Sequence, residues 1–344
     1  MEVSTLNSKE NQRWLNGLDS IRFVLALIVM LGHISDRFLT KVIGEDIFLN
    51  IVIKLFHQLF CGPAAVIVFF VLSGIVIHYP NRNKSVFNIK TFLIRRIFRI
   101  GIPLLVVSLV GIYFQVFDSI PVWSLYCELI YYVIYPFIFA LKVNWDWLFK
   151  VSFVFVFAIL IIMNFDSVLS MLNQKNINYK SYYWSYGTLF AAFFGFPCWV
   201  AGAALANKID KLTYIVSFKT LMAYRLTAYI LSCVFLVLSF HFYIGYVFTL
   251  NFFAIFAVYW LEKEVIYYRS HKCNRVIEYA GKFSFTLYLW HMILFGLIKS
   301  FIPTTNLSFY LIYIFLITAI SYLLYLLIEF PSQRLAQYVS NKFA

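Results

Sequence analysis

The chain has 344 residues, of which 62% are hydrophobic and only 12% are charged. Soluble domains carry about 25% charged residues, so this composition excludes a soluble globular domain, and it also excludes a disordered, collagen-like or coiled-coil chain. The net charge of +13 does not indicate a nucleic-acid partner, because the Lys and Arg residues flank apolar runs instead of forming a hydrophilic patch.

Apolar runs long enough to cross a bilayer alternate with short charged stretches. We therefore predict an all-α, polytopic membrane helix bundle in which residues 1–344 form one domain in contact with lipid, with no soluble domain. The ten predicted spans are, in chain order, Ile21–Ser35, Pro63–Tyr79, Ile100–Phe117, Trp123–Leu141, Val151–Phe165, Tyr183–Ala206, Leu226–Ser239, Tyr243–Leu261, Phe283–Phe301 and Leu307–Ile328.

Two segments, the long uncharged run and the stretch before the second span, each allow two interpretations. The run from Leu226 to Leu261 has no charged residue and would be about 54 Å long as one helix, which is too long for one crossing, so we divide it at His241–Gly245. Between the first two spans, residues 47–60 predict an interfacial helix, and the alternative is an extension of the second span. The polar residues of this stripe are Asn50, Lys54, His57 and Gln58.

The distribution of basic residues predicts the orientation in the membrane. With ten spans, 22 of the 28 Lys and Arg residues fall on the side of the N-terminus and 6 on the other side. Basic residues concentrate on the cytoplasmic side of membrane proteins. We therefore expect both termini, and the loop Asn81–Lys90, in the cytoplasm.

The first predicted span carries two polar groups on one helical face. Arg22 and His33 are eleven residues apart, which returns a helix to within about 20° of its starting direction. Ionisable groups inside a span are costly, and they often mark a functional site. The alternative is an interface anchor together with a histidine that is bonded to a neighbouring carbonyl.

The longest basic stretch follows the second span. Arg95 and Arg99 share a helical face, and Arg96 lies on an adjoining one. Guanidinium groups bind phosphate in a bidentate manner, whereas ordinary cytoplasmic topology and lipid contact are the competing explanation.

Few other chemically active groups lie within predicted spans. Glu128 is the only acid between Ser119 and Leu141, and it is expected to pair with an imidazole, to hold a proton or to form a structural ion pair. His291 is a second intramembrane histidine. Ser73 is not predicted as a nucleophile, because no suitable partner is near it in the sequence.

Together these stretches resemble acyltransferase family 3, whose members are integral-membrane enzymes that commonly O-acetylate bacterial surface polysaccharides. The resemblance covers nearly the whole chain. Its six stretches are Leu18–Arg22 with His33, Phe69–Gly74, Arg95 with Arg99, Trp123–Tyr132, Leu287–His291 and Ile328–Pro331. Many relatives have a second Glu at the position of Leu129 and a Gly at the position of Ser20. Some also carry a fused extracytoplasmic hydrolase domain, which we expect here only as a separate partner.

The resemblance implies a chemistry for these residues. It implies a bacterial cytoplasmic-membrane O-acyltransferase that takes an acyl group, most often acetyl, from cytoplasmic acyl-CoA and transfers it to a sugar hydroxyl of a polysaccharide or lipid-linked glycan. Arg22, His33 and Glu128 are the expected catalytic residues, with His33 as general base or transient acyl carrier and Glu128 as its partner. The CoA phosphates are assigned to Arg95, Arg96 and Arg99, and the acceptor to Trp123, Ser124 and His291.

Other functions remain open from the sequence alone. A flippase or transporter of lipid-linked sugars would also need spans, intramembrane polar groups and aromatic side chains, but it gives no reason for Arg22 with His33 and the paired arginines. Acyl groups other than acetyl would use the same site. The five cysteines form no metal-binding or disulfide pattern, so no metal cofactor is predicted. The acceptor and the oligomeric state, including a homo-oligomer, are left open.

Overall fold

The computed structural model describes residues 16–42, 51, 56, 59–115, 121–165, 182–241, 244–304 and 308–343. These residues form helices and turns, and no strand occurs among them, which confirms the predicted all-α class. The chain divides into two compact units. Unit 1 includes residues 66–85 and 126–274, and unit 2 includes residues 19–65, 86–125 and 275–344.

Twelve α-helices lie in the described part of the chain. They are α1 (Leu18–Val42), α2 (Gly62–His78), α3 (Ile89–Tyr113), α4 (Trp123–Ala140), α5 (Trp145–Met163), α6 (Thr188–Lys208), α7 (Phe218–His241), α8 (Tyr246–Ser270), α9 (Arg275–Ala280), α10 (Ser284–Lys299), α11 (Ser308–Leu324) and α12 (Phe330–Asn341). A π-helical segment, Tyr325–Glu329, joins α11 to α12.

The helices agree with the ten predicted spans, each of which overlaps one of them. Within the described residues, seven helical stretches are long and apolar enough to cross a membrane by length and composition. The other three predicted spans coincide with α2, which is apolar but has 17 residues, and with α3 and α8, which carry charged residues in one half. The protein is therefore an integral membrane protein.

The predicted division of the long apolar run is confirmed. α7 ends at His241 and α8 begins at Tyr246, so the uncharged stretch forms two helices. In contrast, Asn50, Lys54, His57 and Gln58 of the predicted interfacial helix lie outside the described residues.

In unit 2, hydrogen bonds join the first half of α3 to α12 and to the residue Phe343 that follows it. The side chain of Asn88 caps α3 by accepting from the Thr91 backbone N–H at 3.0 Å, and its amide donates to the Phe343 carbonyl at 2.8 Å. The Ser332 hydroxyl donates to the Phe98 carbonyl at 2.5 Å. These contacts fix the half of α3 that carries the three arginines.

Unit 1 depends on a close approach between α2 and α6. A Cβ atom on Gly74 would lie 2.0 Å from the Trp199 carbonyl oxygen, and one on Gly202 would lie 1.9 Å from the Val71 carbonyl oxygen. Small residues let the backbones of membrane helices approach closely, and Gly74 and Gly202 have this role here. The two glycines are thus required by contact distance.

We expect Gly74→Ala and Gly202→Ala to destabilise the protein, because each new methyl group would collide with backbone atoms that cannot rotate away. Overpacking of this kind costs about 1–3 kcal/mol. Thermal unfolding of purified protein in detergent should show a lower Tm for each variant.

Gly101→Ala is the matched control, since its Cβ would meet only Ile97 Cγ2 at 3.7 Å in the same helix. That variant should keep or raise the Tm, because Ala has the higher helix propensity. A Tm unchanged by both Gly74→Ala and Gly202→Ala would contradict the close approach.

Candidate active site

The two intramembrane histidines predicted from the sequence meet in unit 2. His33 Nδ1, from α1, lies 2.8 Å from His291 Nε2, from α10, and the two rings are nearly parallel at 11°. His291 is fully buried, whereas His33 is half-buried. The sequence placed both residues within spans but did not predict that they bond to each other.

Tyr288 forms hydrogen bonds both to the start of α4 and to His291. Its hydroxyl donates to the Pro121 carbonyl at 3.0 Å and lies 2.7 Å from Ser124 Oγ. A carbonyl oxygen can only accept, so the tyrosine uses its proton there and receives a hydrogen bond from Ser124. The Tyr288 backbone carbonyl is also 2.7 Å from His291 Nδ1. Tyr288 therefore connects the start of α4 to the histidine pair.

Arg22 and His33 lie on one uninterrupted helix, α1, as predicted. The Arg22 guanidinium donates to the Asp19 carboxylate at 2.9 Å, and both side chains are partly exposed. The neighbouring Ser20 donates its backbone N–H and its hydroxyl to the Glu278 carboxylate at 3.0 and 2.5 Å. The hydroxyl that replaces the relatives' glycine thus has its own acceptor in this chain.

The three predicted phosphate-binding arginines lie in the first half of α3. Arg95 is exposed and donates to Ser340 Oγ at 2.8 Å and to Asn341 Oδ1 at 3.2 Å, both of which are neutral. The guanidinium of Arg96 lies 5.8 Å from the centre of the Phe92 ring. Arg99 interacts electrostatically with Glu329. The sequence did not predict any of these partners.

A π-helical turn places Glu329 in the interior. Pro331 has no N–H to continue the α-helical ladder, and the Phe330 N–H bonds five residues back, to the Tyr325 carbonyl. The buried Glu329 carboxylate accepts from Thr286 at 2.5 Å and from Gln333 at 2.9 Å. π-Bulges inside helices are frequent at functional sites, and this one carries the carboxyl group that interacts electrostatically with Arg99.

Glu128 belongs to unit 1, where two hydroxyls bind the same oxygen of its carboxylate. Ser73 donates to Glu128 Oε1 at 2.6 Å, and the Tyr132 hydroxyl donates to Oε1 as well. Ser73 has no suitable partner near it in the sequence, but in the structure the Glu128 carboxylate is its partner. The sequence contains no signal for this bond, because only the tertiary structure brings Phe69–Gly74 next to Trp123–Tyr132. The predicted pairing of Glu128 with His33 stays a prediction.

Unit 1 also contains an ion pair between the half-buried Arg225 and the buried Glu264, which was not predicted from the sequence. Arg225 binds both oxygens of the fully buried Glu264 at 2.6 and 2.8 Å, and the Trp260 indole N–H donates to the same carboxylate at 2.8 Å. The signal available in the sequence was a pair of opposite charges at neighbouring ends of consecutive spans. Such a pair satisfies itself within the unit.

Eight of the nine predicted site residues belong to unit 2, and one belongs to unit 1. Unit 2 contains Arg22, His33, Arg95, Arg96, Arg99, Trp123, Ser124 and His291, and unit 1 contains Glu128. Their assigned roles remain predictions. Within the described ranges, no group of three or more His, Cys, Asp and Glu residues is arranged to hold a metal ion.

Comparison with known families identifies the class of protein. The model of an acyltransferase domain family, acyltransferase family 3, matches residues 15–326. The chain belongs to this family. Searches of curated proteins and of solved structures found no significant match. This acyltransferase family 3 protein is thus a membrane acyltransferase, and its histidine pair and its arginines lie within the matched region.

Proposed function

We propose that this acyltransferase transfers an acetyl group from acetyl-CoA to a hydroxyl of a sugar in a surface polysaccharide or a lipid-linked glycan. It acts as a single membrane domain in the bacterial cytoplasmic membrane, with both termini in the cytoplasm. The observation that carries the proposal is the His33–His291 pair: an imidazole that is half-buried, orientated by a hydrogen bond and located on the helix that begins near Arg22.

The arginines of α3 support the donor part of the proposal. Arg95 is exposed, and its protein partners, Ser340 and Asn341, carry no charge, so the positive charge is not neutralised by them. A guanidinium has five N–H donors in a rigid fork, which suits the phosphates of CoA. Arg99 lies on the same helix as Arg95 and interacts electrostatically with Glu329.

His33 supplies the proton chemistry in this proposal. As general base it takes the proton of the acceptor hydroxyl while the oxygen attacks the thioester carbon. The carbon–sulfur bond breaks, and the sulfur leaves with the electron pair and receives the proton from the imidazole. A transient acyl-histidine is the other route. Arg22 lies at the start of the same helix, and Trp123 and Ser124 are assigned to the acceptor.

Glu128, a residue of unit 1, has a supporting role in the proposal. Its hydrogen bonds to Ser73 and Tyr132 orient the carboxylate, and the proposed role is to orient or tune the catalytic imidazole. In that role Glu128 contributes to the rate without handling the acceptor proton itself.

The donor site is tested first. Replacing both Arg95 and Arg99 by Gln should weaken acetyl-CoA binding by roughly tenfold or more, since hydrogen bonds to charged groups contribute about 1.5–3 kcal/mol. The difference from the parent should shrink as salt is added. Lys at both positions should restore only part of the affinity, because the bidentate geometry is lost. Binding is measured by calorimetry on protein in lipid nanodiscs.

Two controls separate phosphate binding from structure. Arg334→Gln removes one charge from a residue that lies over the Phe330 ring, and Ser340→Ala removes a protein partner of Arg95 while keeping its guanidinium. Both variants should bind acetyl-CoA nearly as the parent does. If the double Gln variant does so too, the arginines serve topology and not the donor.

The proposed orientation is tested with single cysteines. In a background in which the partly accessible Cys233 and Cys273 are replaced by Ser, Lys84→Cys should be protected from a membrane-impermeant thiol reagent in intact spheroplasts. Ser300→Cys, at the exposed end of α10, should be labelled. The reverse pattern would overturn the cytoplasmic location of the donor site.

The catalytic proposal rests on His33. His33→Ala should abolish acetyl transfer while acetyl-CoA binding persists, and His33→Gln should do the same, because Gln can neither take a proton nor accept an acyl group. Glu128→Gln should lower the rate less completely. Acetyl incorporation into surface glycan is measured in cells lacking the native gene, beside acetyl-CoA turnover by purified protein in lipid.

The control is His271→Ala, which removes an exposed imidazole that stacks on Tyr267 at the end of α8. This variant should keep the parental rate. Near-parental transfer by His33→Ala would remove the proposed base. Export of a glycan by a parent protein that shows no acylation would favour a flippase instead.

A further inference from the structure

The hydrogen bonds around His291 determine where its proton lies. His291 Nδ1 is 2.7 Å from the Tyr288 carbonyl oxygen and 3.2 Å from the Leu287 carbonyl oxygen, both in α10. Carbonyl oxygens only accept hydrogen bonds. Nδ1 of His291 must therefore be the donor, and it carries a hydrogen.

The position of that hydrogen fixes the next one. A neutral imidazole has one N–H donor and one acceptor nitrogen, so Nε2 of a neutral His291 accepts. Its partner at 2.8 Å is Nδ1 of His33, which must then be the donor. The lone pair of neutral His33 consequently lies on Nε2, the ring nitrogen opposite this bond.

The surroundings hold this arrangement in place. His291 has no exposed surface, and the neighbouring Tyr288 is tied through its hydroxyl to Pro121 and Ser124. His291 bonds through both of its ring nitrogens, to its own helix on one side and to His33 on the other. The ring therefore has little freedom to flip or to exchange its tautomer.

We propose that His291 is a positioning residue that sets the tautomer of His33, so that Nε2 of His33 is the basic nitrogen of the acyl transfer. This inference rests on the proposed function of His33. It differs from the acceptor contact expected for His291 from the sequence.

The arrangement also acts during the reaction. When Nε2 of His33 takes the proton of the acceptor hydroxyl, the ring becomes an imidazolium, and its Nδ1–H bond to His291 becomes charge-assisted. Such bonds are shorter and stronger than neutral ones. The proton then leaves Nε2 for the CoA sulfur as the carbon–sulfur bond breaks, and the neutral pair is restored.

The activity test compares two replacements of His291. Gln can donate from its amide nitrogen to the Tyr288 carbonyl and accept from His33 through its amide oxygen, so His291→Gln should keep much of the rate. His291→Leu fills similar space but cannot accept, so kcat should fall about 100-fold or more, with KM for acetyl-CoA little changed. His271→Leu is the matched control and should keep the parental kcat.

The proton position is also measured directly. Solid-state NMR on protein with ¹⁵N-labelled histidine, with the His33 signals assigned by their loss in His33→Ala, should show Nδ1 protonated and Nε2 unprotonated at neutral pH. In His291→Leu this preference should be lost.

The kinetic and NMR measurements distinguish a failure of this inference from a failure of the proposed function. A His291→Leu variant with parental kcat, or a His33 protonated at Nε2 in the parent, would overturn the inference while leaving the acyl transfer intact. A parent protein without acyl transfer would overturn the proposed function, whereas the NMR result would still decide the tautomer. If His291→Leu does not accumulate in the membrane, a loss of rate in the Gln variant would count against the inference.

Discussion

Polar groups inside an apolar bundle must find partners within the protein, because lipid offers none, and this constraint explains the described interior. Each of three buried or half-buried groups is bonded to a specific neighbour: His291 to His33, Glu128 to Ser73, and Glu264 to Arg225. An unsatisfied polar group in hydrocarbon costs several kcal/mol, so these bonds also select which helices lie next to each other. The chemistry and the packing of each unit depend on the same few contacts.

Two short motifs, Phe69–Gly74 and Ile328–Pro331, show how packing and polar contacts are linked. Gly74 and Gly202 let α2 and α6 approach closely. The hydroxyl of Ser73, next to Gly74, binds Glu128. In Ile328–Pro331, the proline interrupts the helical ladder and the resulting π turn directs Glu329 inward, toward Thr286 and the charge of Arg99. The π turn thus places Glu329, whereas the hydroxyls of Ser73 and Tyr132 orient Glu128.

The helices were largely predictable from the sequence, because the period and length of apolar runs determine them. The uncharged stretch around His241–Gly245 divides as expected, and α1 carries Arg22 and His33 on one continuous helix. The pairing of side chains was not predictable, since helix periodicity orders residues along one helix and carries no information about its neighbours. For that reason Ser73 lacked a partner in the sequence, and the contact between His33 and His291 was not foreseen.

The hydrogen bond between His291 Nδ1 and its own helix affects what happens when that helix moves. The acceptor of His291 Nδ1–H is a carbonyl three residues earlier in its own helix, so it travels with the ring. If α10 moves as a rigid body, the hydrogen stays on Nδ1 and Nε2 stays an acceptor, whatever happens to the distance from α1. Local helix geometry thus determines that His33 donates and His291 accepts. Movement of α10 can make or break this contact without exchanging the donor and the acceptor.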